Sequence, residues 1–78
     1  MKNKFTWGDS VMVKKSAPSH FRPGEFASIC GIDQILTTEE AEELKCSIYD
    51  WIYTIEYQDG TDTEVLECYL EPYEENTN

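Results

Sequence analysis

The chain is 78 residues long, 40% apolar and 28% charged, with a formal net charge of -10. A domain of this size buries only about 60–65% of the surface its unfolded chain would expose, so its two tryptophans, five tyrosines and three phenylalanines must fill much of the core. The composition excludes a disordered polyelectrolyte, no apolar run approaches the ~18 residues of a membrane span, and the N-terminus has no apolar stretch of the secretory kind. The chain therefore reads as one cytoplasmic domain over residues 1–78, ordered over about 4–73, with disorder expected only at Met1–Asn3 and Glu74–Asn78.

Val11 and Val13, following the turn-forming pair Gly8-Asp9, share one face of a first strand within Phe5–Lys15. Pro18 and Pro23 remove backbone donors and fix φ, which makes Ser16–Pro23 an irregular excursion. A second strand is expected over Gly24–Ile32, with Ala27 and Ile29 inward and Gly31 ending or bulging it. Thr37 and Glu40 then have the spacing of a capping box, with Leu36 and Ala41 where a hydrophobic staple would sit. A short helix follows, over about 37–46, with Glu39 and Glu40 at the positive end of its dipole and Lys45 at the other. Only Ala41, Leu44 and Ile48 give it an apolar side, so Glu39, Glu40, Glu42 and Glu43 should stand in water.

From Trp51 to Tyr57 the chain alternates, Tyr53, Ile55 and Tyr57 on one face and Thr54 and Glu56 on the other, the mark of a half-buried antiparallel strand. Asp59-Gly60 signals a hairpin through a primed turn, and Thr61–Leu66 returns as the partner strand with Thr63 and Val65 inward and Asp62 and Glu64 outward. Glu67–Pro72 reads as one helical turn feeding a short last strand, since Pro72 stops any longer helix. The sum is a mainly β domain, a small barrel of four to five antiparallel strands with one short inserted helix, whose closure would protect the sheet edges.

The blocks Phe5-x-x-Gly8-Asp9-x-Val11-x-Val13, Pro23-Gly24-x-x-Ala27-x-Ile29, Tyr53-x-Ile55-x-Tyr57-x-Asp59-Gly60 and Val65-x-x-x-Tyr69-Leu70, in that order, resemble the SH3-like small barrels. More narrowly, Phe5-Thr6-Trp7-Gly8-Asp9, Ala17-Pro18, Arg22-Pro23-Gly24-Glu25, the Glu-rich helix and the Trp51–Gly60 strand and turn resemble a bacterial family of small immunity proteins encoded beside polymorphic toxins. That resemblance spans roughly Phe5 to Leu70. It implies a non-enzymatic protein that binds and neutralises a cognate toxin. The broader likeness implies the alternative, an SH3-like adaptor or regulatory subunit that binds a protein or peptide.

Charge is segregated along the chain. The first 45 residues hold all six bases against seven acids, whereas nine acids and no base follow Lys45: Asp50, Glu56, Asp59, Asp62, Glu64, Glu67, Glu71, Glu74 and Glu75. That sign repels phosphate and attracts a basic protein surface, and solubility alone is served by the same charge. The partner-binding candidates are Glu56, Asp59, Asp62, Glu64, Glu67 and Glu71, which would steer a basic partner, with Tyr69 and Tyr73 to anchor it. Trp7 and Tyr53 are assigned to packing.

No catalytic, cofactor or metal site is expected. His20 is a lone loop histidine without a tuned partner, and Asp59–Glu64 is too short for a calcium loop. Glu56 with Glu64 on one exposed hairpin lacks the groove of a glycosidase pair. Cys30, Cys46 and Cys68 are odd in number and widely spaced, which reads as reduced thiols packed as small apolar side chains, a Cys30–Cys68 bridge being the alternative. The charge balance makes one outcome plain: no binding to RNA or DNA should be seen by fluorescence anisotropy at physiological salt, and micromolar affinity would overturn the electrostatic reading.

Overall fold

The computed structural model describes residues 2–73. The expectation for Glu74–Asn78 lies outside them, as do Glu74 and Glu75 themselves, whereas Asn3 is placed and donates its side-chain amide to the Phe5 carbonyl at 2.6 Å. Five strands form one antiparallel sheet: β1 (Ser10–Val13), β2 (Phe26–Gln34), β3 (Trp51–Tyr57), β4 (Asp62–Leu66) and β5 (Leu70–Pro72). Their order is β4-β3-β2-β1-β5. Strands β1 to β4 run as a meander, and a 3₁₀ turn over Glu67–Tyr69 carries the chain back so that β5 pairs with β1. This is the mainly β arrangement expected, with five antiparallel strands and one short inserted helix. Among the described residues the sheet is not closed by pairing, because β4 and β5 remain its two edges.

Period-two patterning places the core. Val11, Val13, Tyr53, Ile55 and Val65 are completely buried and join Phe5, Ala27, Ile29, Tyr57 and Leu70 in one cluster. Phe5 enters it from outside the sheet and meets Tyr53 edge to face, with ring centroids 5.5 Å apart. Each such side chain contributes about 1.5–3 kcal/mol relative to exposure. Trp7 departs from the packing role expected of it, being 67% exposed on the Thr6–Asp9 turn.

Strand β2 runs two residues beyond the expected Ile32 because it bulges instead of ending. Ile29 pairs with Ile55 but Gly31 pairs with Thr54, so Cys30 is an extra residue and the inward phase moves from Ala27 and Ile29 to Ile32, opposite Tyr53. Close approach favours glycine at position 31. A Cβ at that position would lie 3.0 Å from both Cβ and Oγ1 of Thr54.

The hairpin turn also differs in kind from the expectation. Tyr57 accepts from Gly60 N and donates to the Thr61 carbonyl, which leaves a three-residue loop, and only Gly60 has φ > 0. A primed turn would need a positive φ at Asp59 as well; the observed loop is a type I turn closed by a left-handed glycine. The helix α1 spans Thr38–Leu44, with the Thr37 hydroxyl accepting from Glu40 N at 3.1 Å as the capping spacing requires. It stops short of Cys46, because Lys45 turns left-handed (φ 55°) while Cys46 N reaches back to the Ala41 carbonyl. No staple forms with Leu36, which is 62% exposed; its neighbour Ile35 is the buried one. Bonds from Ile35 N to Asp50 O and from Tyr49 N to Ile35 O close the base of this excursion.

Two substitutions separate these constraints. Gly31→Ala should destabilise the domain by about 1–3 kcal/mol through overpacking against Thr54. A Cβ at Gly60 meets no neighbour within 4 Å, so the cost of Gly60→Val, about 1–2 kcal/mol, comes from the left-handed conformation. Equilibrium urea denaturation checks both, and an unchanged midpoint for Gly60→Val would contradict the left-handed turn.

Candidate protein-binding surface

The acids that sequence reasoning grouped together fall into three classes. Glu56, Asp62 and Glu64 are exposed on the outer face of the β3–β4 hairpin, Glu56 directly opposite Asp62 and Glu64 opposite Thr54. Like charges facing each other across antiparallel strands oppose folding. Both ion pairs among the described residues belong to Arg22, so none relieves this face. Its field reaches the neighbouring strand, where burial and then the charges of Glu56 and Asp62 push the Cys30 thiol up from its ordinary value.

Asp59 and Glu67 are engaged by contacts within the fold. Asp59 Oδ2 accepts from Arg22 Nη2 at 2.7 Å, and Asp59 Oδ1 accepts from the Thr61 hydroxyl and amide. The Arg22 hydrogen bond, aided by those from Thr61, holds the Asp59 carboxyl well below its usual range. Its contribution to stability is present above the ordinary carboxylate range and is lost as pH falls through the depressed value. Arg22 also lies 4.4 Å from the centre of the Tyr57 ring, and the Tyr57 hydroxyl donates to the Phe21 carbonyl at 2.6 Å.

Glu67 works at the other end of β3. Its Oε2 accepts from the Tyr53 hydroxyl at 2.5 Å and from Lys4 N at 2.9 Å, while the Tyr53 oxygen accepts from the amides of Lys4 and Phe5. This knot holds the N-terminal segment over the core, so Tyr53 both fills the interior and anchors the chain that leads to Phe5.

Glu71 and Tyr73 stand apart from the hairpin acids. Glu71 is exposed on β5 opposite Met12, and Tyr73 stacks on Phe26 with centroids 5.1 Å apart, at the opposite edge of the sheet from β4. Tyr69 is half-buried against the core and 6.0 Å from the Phe21 ring. The cysteines are free, and the packed role expected of them fails for Cys30 and Cys68, which are exposed. His20 is exposed, its ring 4.0 Å from that of Phe21. Among the described residues no group of three or more His, Cys, Asp or Glu side chains is placed to hold a metal ion, and no helix is long and apolar enough to cross a membrane.

A groove that sequence reasoning missed lies beside Glu64. It has two overlapping lobes of about 460 and 370 Å³, both lined by His20, Phe21, Glu43, Leu44, Ile52 and Glu64. The first lobe adds Asp33 and Glu40, and the second adds Leu66 and Tyr69. One signal was available in the sequence, since Ile52 interrupts the polar face that it shares with Thr54 and Glu56. Leu44, likewise, is the apolar residue that α1 leaves 39% exposed. In comparisons with known proteins, no family model, no curated protein and no solved structure matches the chain.

The Tyr53 knot has a measurable signature in alkali. Burial, then the hydrogen bond to Glu67, pushes the Tyr53 hydroxyl up from 10.0 to about 12. A folded-state value above the unfolded one means that the stability from this group is complete below pH ~10 and is lost as pH rises toward 12. Tyrosinate absorbance should show one group titrating near pH 12. Tyr53→Phe should remove that step and cost about 1–3 kcal/mol at neutral pH, because the Phe5 amide loses its acceptor.

Proposed function

We propose that this chain is a non-enzymatic immunity protein that binds and neutralises a basic bacterial toxin in the cytoplasm by covering its surface. The observation that carries the reading is the hairpin face of Glu56, Asp62 and Glu64, where like charges adjoin without a compensating cation among the described residues. Such a face is unfavourable for the isolated domain, and a cationic partner relieves it. The sequence resemblance supplies the toxin as the class of partner. Three free cysteines, two of them exposed, suit a reducing compartment. The groove between the Ser19–Phe21 turn, α1 and the hairpin favours a second reading, an SH3-like adaptor that grips a protein segment.

Rates against the protein that co-purifies from the native cell, or against the product of a neighbouring toxin gene, test the electrostatic part. Changing Glu56 and Glu64 to Gln and Asp62 to Asn together should slow association by about tenfold at low salt and flatten its salt dependence, because exposed charges act before contact. Asp59→Asn and Glu67→Gln should instead lower stability. An unchanged association rate for the triple variant would assign the acidic face to solubility and leave the adaptor as the better reading.

A further inference from the structure

Resting on the proposal that the chain binds a basic protein, we infer that the groove between the Ser19–Phe21 turn, α1 and β3–β4 is where the partner inserts an arginine or lysine flanked by an apolar side chain. Its lining is mixed in chemistry. Phe21, Leu44 and Ile52 give apolar surface common to both lobes, and Glu43 on the helix and Glu64 on the hairpin line both lobes as well. Asp33 and Glu40 add to the acidic lining of the larger lobe, where His20 is the sole residue capable of positive charge among the described residues lining it. Lys45 reaches only the smaller lobe.

A cationic head with an aliphatic stem matches that layout better than other side chains. The stem of arginine or lysine covers apolar surface while its head stays among carboxylates and water. An acidic or phosphorylated segment would meet four carboxylates, and a wholly apolar one would desolvate them without return. Concavity adds to the match, since carboxylates lining one groove concentrate their field on a group seated among them more than the same charges spread over a flat face.

Titration of the isotope-labelled full chain by nuclear magnetic resonance tests this, with a short blocked peptide alternating leucine and arginine as the probe. Saturable shifts should centre on Leu44, Ile52, Glu64 and Tyr69, with a dissociation constant of about 0.1–1 mM. Replacing each arginine of the probe by citrulline, which keeps shape but not charge, should weaken binding about tenfold or more. Glu43→Gln and Glu64→Gln should each weaken it about three- to fivefold, as exposed ion pairs do. Neither side chain makes a hydrogen bond or ion pair among the described residues, so these variants should keep the wild-type spectrum elsewhere. No saturable shift at millimolar probe, equal binding of the citrulline peptide, or shifts centred on Glu56 and Asp62 would each overturn the groove assignment. The last of these would leave the acidic hairpin reading intact, and so the two proposals fail separately.

Discussion

The Arg22 guanidinium joins parts of the chain that no strand pairing joins. Left-handed itself (φ 62°), Arg22 bonds the hairpin-tip residue Asp59, meets Glu25 on its own loop and covers the ring of Tyr57. The loop it belongs to carries Phe21 and His20, and therefore one wall of the groove. Tyr57 reinforces the tie from below by donating to the Phe21 carbonyl. An exposed ion pair alone contributes little, but planar contacts to the Asp59 carboxylate, the Thr61 hydroxyl, which accepts from Arg22 Nη1 at 3.1 Å, and the Tyr57 ring together fix a direction as well as a distance. Lysine could not reproduce this, because it lacks the fork and the stacking plane.

The strands were legible because burial on one face writes itself into a sequence as alternation. Val11 and Val13, Ala27 and Ile29, and Tyr53, Ile55 and Tyr57 all point inward as their spacing requires. Alternation is a local signal, however, and it fails where the pairing partner sets the geometry. The bulge at Cys30 shifts the phase of β2 relative to β3, and nothing local to Cys30 and Gly31 states that Thr54 sits opposite. The turn failed for a similar reason: Asp59-Gly60 is compatible with more than one loop length, and pairing between Tyr57 and Thr61 selects the longer one. Size alone suits Trp7 to the core, yet the turn that carries it is pinned by Gly8 N to the Ile29 carbonyl and leaves the indole outside.

Charge was legible in total but not in role. Counting carboxylates treats Asp59, Glu67 and Asp62 alike, whereas the fold gives the first to Arg22, the second to Tyr53 and the third to no cation among the described residues. Partners distant in sequence decide this, 37 residues away for Asp59 with Arg22 and 14 for Glu67 with Tyr53. The groove was hidden for the same reason, being assembled from two excursions between strands and a hairpin whose separate patterns each look like ordinary surface.

The sorting of acids also ties stability to binding. The carboxylates of Asp59 and Glu67 lower the free energy of the folded chain, while Glu56 and Asp62, facing each other across the strands, raise it. A partner that binds only the folded domain stabilises it by RT ln(1 + [L]/Kd), which amounts to about 2.7 kcal/mol at a hundredfold excess over Kd. A cation placed against the Glu56–Asp62 pair adds its attraction and also cancels a repulsion already present, so more of its interaction energy enters the affinity than at a face whose charges are already satisfied. Release of that repulsion by a bound cation would make the hairpin face a better place than Asp59 or Glu67 to receive positive charge.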